Sequence, residues 1–382
     1  NCTFINEEFE KEFGDIKIEN GKIAEIGIID GEGKDMSGKI VMPGFIDIHI
    51  HGGDGGDSSD GTPEALDKIS AYLAKRGVTS FCPTTMTLPI DRLCDIAGVI
   101  SNYAKNGNAG RSKIAGINFE GPFIAMSKKG AQNGDYVIPG TVDDFNRLYD
   151  ASEGLMKLIT IAPEAFDSKK FIEHASKKAT VSIGHTAANA EEAAEAIKSG
   201  VNHATHLFNA MTPMTHREAG VVGVAFDSGI TCELICDGAH ICPTVLRNTF
   251  KILGEDRACV ISDSMRGAGL GNGKFELGGQ MTYVKDGYTV ARLSDGTIAA
   301  SITNVFDEFK NLLDFGIDFK TAIKSCTINP ARAIGEDKKI GSISVGKYAD
   351  LIISFSSSFS ESSSAPTFAH NMLNNFFADG RS

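Results

Sequence analysis

The stretch Val41-Met-Pro-Gly-Phe-Ile-Asp-Ile-His-Ile-His51 decides how this chain folds. It is a short, almost wholly apolar run that ends on two histidines at i and i+2, and residues two apart share one face of an extended strand. Counting 41–48 as the first such run, others follow at 77–83, 113–119, 157–162, 179–184, 200–205, 230–236 and 258–262, and helical patterns separate most of them, at 63–76, 90–105, 168–178, 189–199 and 243–253. Short continuous apolar runs alternating with helices read as buried parallel strands in βα units. Eight of them over about 250 residues is the size of a (β/α)8 barrel.

A doubly wound open sheet gives the same local pattern, so the polar residues have to separate the two. His49 and His51 close the first run, Glu120 the third, His185 the fifth, His206 the sixth and Asp263 the eighth, while His240 follows the seventh. In a barrel these ends converge on one mouth, where catalytic groups sit; an open sheet spreads them along a rim. The fold class predicted is therefore α/β, a TIM-like barrel over 43–335.

The flanks read differently. Residues 15–30 alternate apolar and polar on either side of Asn20-Gly21, a strong hairpin signal. Residues 341–353 read as turn, then strand. Segments 1–42 and 336–382 are accordingly expected to form one small β-sandwich domain. Ser354 to Ser364 form an atypical Ser-rich stretch to which no chemistry is assigned.

Of 382 residues 42% are hydrophobic and 23% charged, enough apolar material for a large core. Lys+Arg number 37 against 49 Asp+Glu, a formal charge of −12. No general affinity for nucleic acid or an anionic membrane is expected, since both need a basic face. No apolar run approaches the roughly 18 residues that span a bilayer. Eight cysteines without a Cys-x-x-Cys pair, and no export signal at the start, point to reduced thiols in the cytoplasm.

Two imidazoles on one strand face can share a metal, and imidazole with carboxylate suits zinc or ferrous iron. Glu120, just before Gly121-Pro122, reads alone as a solvated strand end, but beside histidines at equivalent strand ends it reads as a ligand. Five of the nine histidines, His49, His51, His185, His206 and His240, fall at the mouth. His203 is left as structural, and His174, His216 and His370 as surface or loop residues. Asp263 alone reads as a helix N-cap; at a metal site it reads as a general base that takes a proton from water and returns it to a leaving group. No Gly-x-Ser-x-Gly elbow, P-loop or dinucleotide fingerprint is present, which leaves metal-assisted hydrolysis.

Pro43-Gly-Phe-Ile-Asp-Ile-His-Ile-His-Gly52, the strand-end histidines, Asp263, Asn329-Pro-Ala-Arg332 and Gly346-Lys-Tyr-Ala-Asp350 together resemble the amidohydrolase superfamily. Phe119-Glu-Gly-Pro122, Ile183-Gly-His-Thr186, His206-Leu-Phe-Asn-Ala-Met211, Arg217-Glu218, Asp237-Gly-Ala-His240 and Ser262-Asp263 resemble, within it, the N-acetylglucosamine-6-phosphate deacetylases. The resemblance, from about residue 12 to about 353, implies deacetylation of that phosphosugar in amino-sugar catabolism. It implies a main metal on Glu120, His185 and His206, with His49 and His51 able to hold a second; zinc or iron, one or two per subunit. Glu120 stands where other amidohydrolases place a carboxylated lysine, so Lys128 and Lys129 are not expected as ligands. Asp263 is the implied general base and acid, and His240 a substrate contact. Asn209, Ala210 and Arg217 are the implied phosphate contacts, with Arg217 able to act across a homodimer. Ala131, Ile298, Ala299 and Ala300 are further implied substrate contacts; Ala300 stands where glycine is common, and Gln132 where some members carry a histidine. The competing readings are a dihydroorotase-like cyclic-amide hydrolase and a non-catalytic barrel scaffold.

Overall fold

A computed structural model describes residues 1–106, 110–285 and 287–355. His370 and nearly all of the Ser-rich stretch lie outside them.

Eight strands pair in chain order, each parallel to its neighbour: Phe45–Ile50, Val78–Thr85, Ile117–Glu120, Met156–Ile161, Thr180–Ile183, His203–Ala204, Thr231–Ile235 and Ala258–Ile261. The eighth meets the first just beyond its end, where the Asp263 N–H donates to the His49 carbonyl (2.9 Å), the His51 N–H donates to the Ser264 carbonyl (2.9 Å), and the Ser262 hydroxyl donates to Asp47 (2.6 Å). This nearly closes the barrel foreseen from the strand-end polar residues. The sixth strand is shorter than its apolar run, because the chain turns at His206 with φ +28°.

Two layers of apolar side chains hold the barrel. Phe45, Phe81, Phe119, Phe145, Phe171 and Phe309 pack between strands and helices. Inside, Ile46, Ile48, Cys82, Leu158, Ile235, Cys259 and Ile261 fill the lower barrel, closed by Ala331, Ala333, Ile334 and Ile340. That end is a solid plug, so only the opposite end can admit a ligand.

The helices at Pro63–Ala74, Ile90–Asn106, Lys169–Ala175, Ala190–Ser199 and Pro243–Leu253 follow their sequence patterns. Thr62 caps the first with Pro63 in its first turn, and Asn189 with Glu192 forms a capping box on the fourth. Helices at Val142–Ala151, Gly220–Asp227, Val305–Asp314, Phe319–Cys326 and Ile328–Ala333 were not foreseen. His174 is corrected from a surface or loop residue: it lies half-buried in a helix, bonded to Asn146 (2.8 Å) and edge-on to Phe145. His216 is exposed, as expected.

Two antiparallel sheets flank the barrel. In the first, Leu351–Phe355 pairs with Lys39–Pro43, beside Cys2–Ile5, Lys11–Glu19 and Lys22–Gly27, so the two ends of the chain share one five-stranded sheet among the described residues. Its hairpin turns at Asn20-Gly21, both with positive φ. The second was not read from sequence: Gly273–Leu277, Gln280–Val284, Val290–Arg292 and Ile298–Ser301 form a four-stranded sheet inserted after the eighth barrel strand. It leans on the mouth through Gln280, whose amide donates to the Ala131 carbonyl, and through the Ser301 N–H, which donates to the Asp263 carbonyl (2.9 Å). All eight cysteines are free thiols, and no helix among the described residues is long and apolar enough to cross a membrane.

Candidate metal centre

The strand ends bring His49, His51, Glu120, His185, His206 and Asp263 together, all buried. Tight turns place them: His185, His206 and Asp263 have φ of +47°, +28° and +47°, a region that non-glycine residues occupy at a cost and that clusters at functional sites. Close backbone approach helps. A Cβ on Gly184 would stand 2.6 Å from the Thr205 side chain, so only glycine lets the chain deliver His185 here.

Glu120 is the hub. Its Oε1 lies 3.1 Å from His185 Nε2, 2.8 Å from His206 Nε2 and 3.4 Å from His49 Nε2; its Oε2 lies 3.1 Å from His51 Nε2. Asp263 Oδ1 is 3.4 Å from His51 Nε2 and 3.7 Å from His49 Nε2. Two three-residue groups, His49/His51/Glu120 and Glu120/His185/His206, place their ligand atoms within 4.8 Å of one another.

The far sides of the rings say what the near sides are for. His51 Nδ1 donates to the Thr84 carbonyl (3.2 Å), His185 Nδ1 to the Lys128 carbonyl (2.8 Å) and His49 Nδ1 to Glu233 (2.9 Å). With Nδ1 holding the proton, each Nε2 turns a lone pair inward, the arrangement that metal-ligating histidines share. His185 Nε2 and His206 Nε2 are only 3.1 Å apart, and His49 Nε2 is buried with no hydrogen-bond partner. Nitrogens converging in this way on one carboxylate fit a divalent cation of the kind that takes imidazole and carboxylate together.

Electrostatics agree. Burial alone would raise the Glu120 carboxyl, but His49 and His185 hold it well below the usual range. Asp263 is likewise held low against burial, by its hydrogen bond to His51 and the charge of His49. Burial would lower His51, yet Asp263 and Glu120 push it up to about 10. Without a cation, then, the cluster balances its carboxylates with imidazolium protons, which a metal would displace. For the metal-stripped protein a pH effect follows. A folded His51 near 10 against about 6.5 unfolded contributes stability that is whole below about 6.5 and is lost as pH rises through 10. The chelated protein is expected to lose unfolding midpoint between pH 6.5 and 10 while the metal-loaded protein does not; parallel pH profiles of the two would contradict this.

The remaining site residues divide. His240 Nδ1 donates to Asp237 (2.8 Å), which also accepts from the His240 N–H and from Thr289. Asn209 and Ala210 are half-buried on the turn after His206, and Ala210 has φ +52°. Arg217 lies in the exposed loop 213–219. Ala131 and Ala300 belong to one buried cluster with Met86, Met265, Leu277, Val284 and Ala291; Ala300 is fully buried, so its methyl stands in that cluster. Ile298 and Ala299 are half-buried on the same strand.

Sequence reasoning missed Glu233 and the contacts of His203 and Gln132, and it quoted Asp237 within a motif without giving it a role. Glu233 sits inside the apolar run 230–236, and a charge there is the signal that could have found it. Gln132 donates to Glu120 Oε2 (2.6 Å) and accepts from the Thr87 N–H (2.7 Å).

A parallel barrel with histidines and carboxylates gathered at its open end defines a metal-dependent hydrolase. Residues 40–374 match the amidohydrolase family, and the chain belongs to it. An N-acetylglucosamine-6-phosphate deacetylase of Bacillus subtilis (strain 168) is 37% identical over 319 residues, covering 82% of this chain and 80% of its own. An N-acetylgalactosamine-6-phosphate deacetylase of Escherichia coli O157:H7 is 30% identical over 340 residues, covering 88% and 89%. Among solved structures, N-acetylglucosamine-6-phosphate deacetylase from Pasteurella multocida superposes with a TM-score of 0.86 at 29% identity, covering 93% of this chain and 94% of its own.

Proposed function

We propose that this chain hydrolyses the N-acetyl amide of N-acetylglucosamine 6-phosphate to glucosamine 6-phosphate and acetate. The observation that carries the reading is the convergence of four imidazole Nε2 atoms on the two oxygens of one buried carboxylate, with Asp263 Oδ1 beside them. Relatives that match this chain over most of its length, one of them with the same fold, bear that activity in their names.

Glu120, His185 and His206 would hold the main ion, and His49 and His51 with Glu120 a second; zinc and ferrous iron both suit these donors. A divalent ion bound there supplies Lewis acidity, which polarises an acyl oxygen and makes water nucleophilic at neutral pH. The chain's own residues do the rest. Asp263 Oδ1, held ionised, accepts a proton from water as the oxygen adds to the acetyl carbon, then returns it to the sugar nitrogen as the C–N bond breaks. His240, its Nδ1 fixed by Asp237, offers Nε2 to the substrate. Ala131 and the strand Ile298–Ser301 would border the sugar.

Phosphate falls to Asn209, Ala210 and Arg217, because a chain with a formal charge of −12 has no overall attraction for a phosphosugar. The exposure of the Arg217 loop suits a homodimer in which each arginine serves the neighbouring mouth, and eight free thiols suit a reducing cytoplasm.

Acetate release from the 6-phosphate, lost on chelation and restored by zinc or ferrous iron, tests the reaction; no release from fully metallated protein would reject the substrate. A panel including the galactosamine epimer and a cyclic amide separates the neighbouring readings. Hydrogen bonds to charged groups are worth about 1.5–3 kcal/mol each, so losing the three assigned contacts is expected to cost the unphosphorylated sugar at least about 1,000-fold in kcat/KM. Arg217→Ala is expected to raise KM with kcat little changed. Equal cleavage of both sugars would remove Asn209 and Arg217 from phosphate binding.

A further inference from the structure

Glu233 is a fully buried charge in the seventh barrel strand, and the reaction above gives it no task. Its surroundings are specific. One oxygen, Oε2, accepts from His49 Nδ1 (2.9 Å) and from the backbone N–H of His206 (3.0 Å). The other, Oε1, faces His203 Nε2 (3.2 Å), and His203 Nδ1 faces the Thr231 hydroxyl (2.5 Å). A carboxylate placed in a strand interior costs desolvation that an apolar residue would avoid. Here that cost is met by two imidazoles and a backbone amide, and two of those three contacts lead to residues of the candidate metal centre.

We infer that Glu233 is a positioning residue that sets the strength of the His49/His51 metal position. The inference rests on the metal-centre reading of the mouth. Glu233 accepts only, so it keeps the proton of His49 on Nδ1 and the lone pair of Nε2 directed at Glu120 and Asp263. Its charge also makes His49 a stronger donor, the effect that carboxylate partners have on metal-ligating histidines. His206 is held differently, by its main chain rather than its ring. The influence of the charge therefore falls on the group containing His49 and largely spares Glu120/His185/His206. His203, on the same barrel strand as the turn to His206, holds the far oxygen and prevents the carboxylate from rotating away.

Glu233→Gln separates charge from hydrogen bonding. Its amide oxygen can stand in the place of Oε2 and still accept from His49 and His206. Its NH2 then faces His203 Nε2, which accepts once the His203 proton moves to Nδ1 and points at the Thr231 hydroxyl. Hydrogen bonds survive and the charge is gone. Metal affinities of the stripped wild type and E233Q are compared by equilibrium dialysis with zinc. Expected is a loss of about 10–100-fold at one ion position, the other keeping its affinity; wild-type affinity at every position would overturn the inference.

A second measurement needs no variant. The wild-type chain, labelled with ¹⁵N-histidine and loaded with ¹¹³Cd, is expected to show one-bond coupling from cadmium to His49 Nε2, with Nδ1 still protonated. Coupling to Nδ1 would overturn the role of Glu233, as would coupling at His185 and His206 with none at His49. Coupling to none of the four histidines would overturn the metal-centre reading itself.

Discussion

Asp263→Asn is expected to lower kcat by about 10²–10⁴-fold, the range that a positioned general acid or base supplies, with metal content and KM close to wild type. The backbone makes the substitution a clean one. Asp263 is pinned by its own N–H on the His49 carbonyl and by the Ser301 N–H on its carbonyl, both 2.9 Å, so asparagine will occupy the same left-handed turn. Its amide oxygen can still face His51. What it lacks is the ability to take a proton and give it back. Asp263 lies 3.4 Å from His51 and 3.7 Å from His49, against 2.8–3.1 Å for the contacts of Glu120 with His185, His206 and His51, so it borders the centre and Glu120 is its hub. Single-turnover rates and elemental analysis on one preparation make the comparison. A variant that turns over at the wild-type rate would remove Asp263 from the proton transfer; one that loses its metal would make it a ligand.

The barrel was legible because its information is local and repeated: each short apolar run is a strand, and each run's polar terminus marks the same end. The six residues of the centre were legible for the same reason. Two kinds of feature were not. The sheet spanning 273–301 follows the eighth strand in a stretch whose first two strands are half-exposed and whose apolar pattern is weak, as in Gly273–Leu277. Its stability comes from packing on nearby Met265 and on Met86 and Ala131, the last two far off in sequence. The partners of the site residues were hidden similarly. Glu233 is 184 positions from His49, and Gln132 meets Glu120 only because the loop after the third strand folds back over the mouth. Sequence spacing reports residues that share a strand face; it does not report which residue stands behind a ring from across the barrel.

Glu120→Gln is expected to abolish activity by emptying the centre, in contrast to Asp263→Asn. Glu120 uses both oxygens, Oε1 toward His185, His206 and His49, and Oε2 toward His51 and the Gln132 amide. Gln132 cannot turn to accommodate a change, because its own oxygen accepts the Thr87 N–H and its NH2 must face Glu120. A glutamine at 120 then has two poor choices. With its oxygen toward His185 and His206, its NH2 meets the NH2 of Gln132; reversed, the NH2 confronts the two Nε2 atoms that should hold the ion. Loss of metal affinity should therefore exceed the about 10–100-fold seen when only an outer partner is removed. The metal-stripped protein should suffer as well. In it Glu120 is a buried carboxylate paired with imidazolium, and removing one partner of such a pair typically costs about 3–5 kcal/mol. Metal per chain after dialysis and the denaturant midpoint of the stripped protein measure the two effects separately. Wild-type metal content in the variant would show that Glu120 is not the hub of the site, whatever its activity.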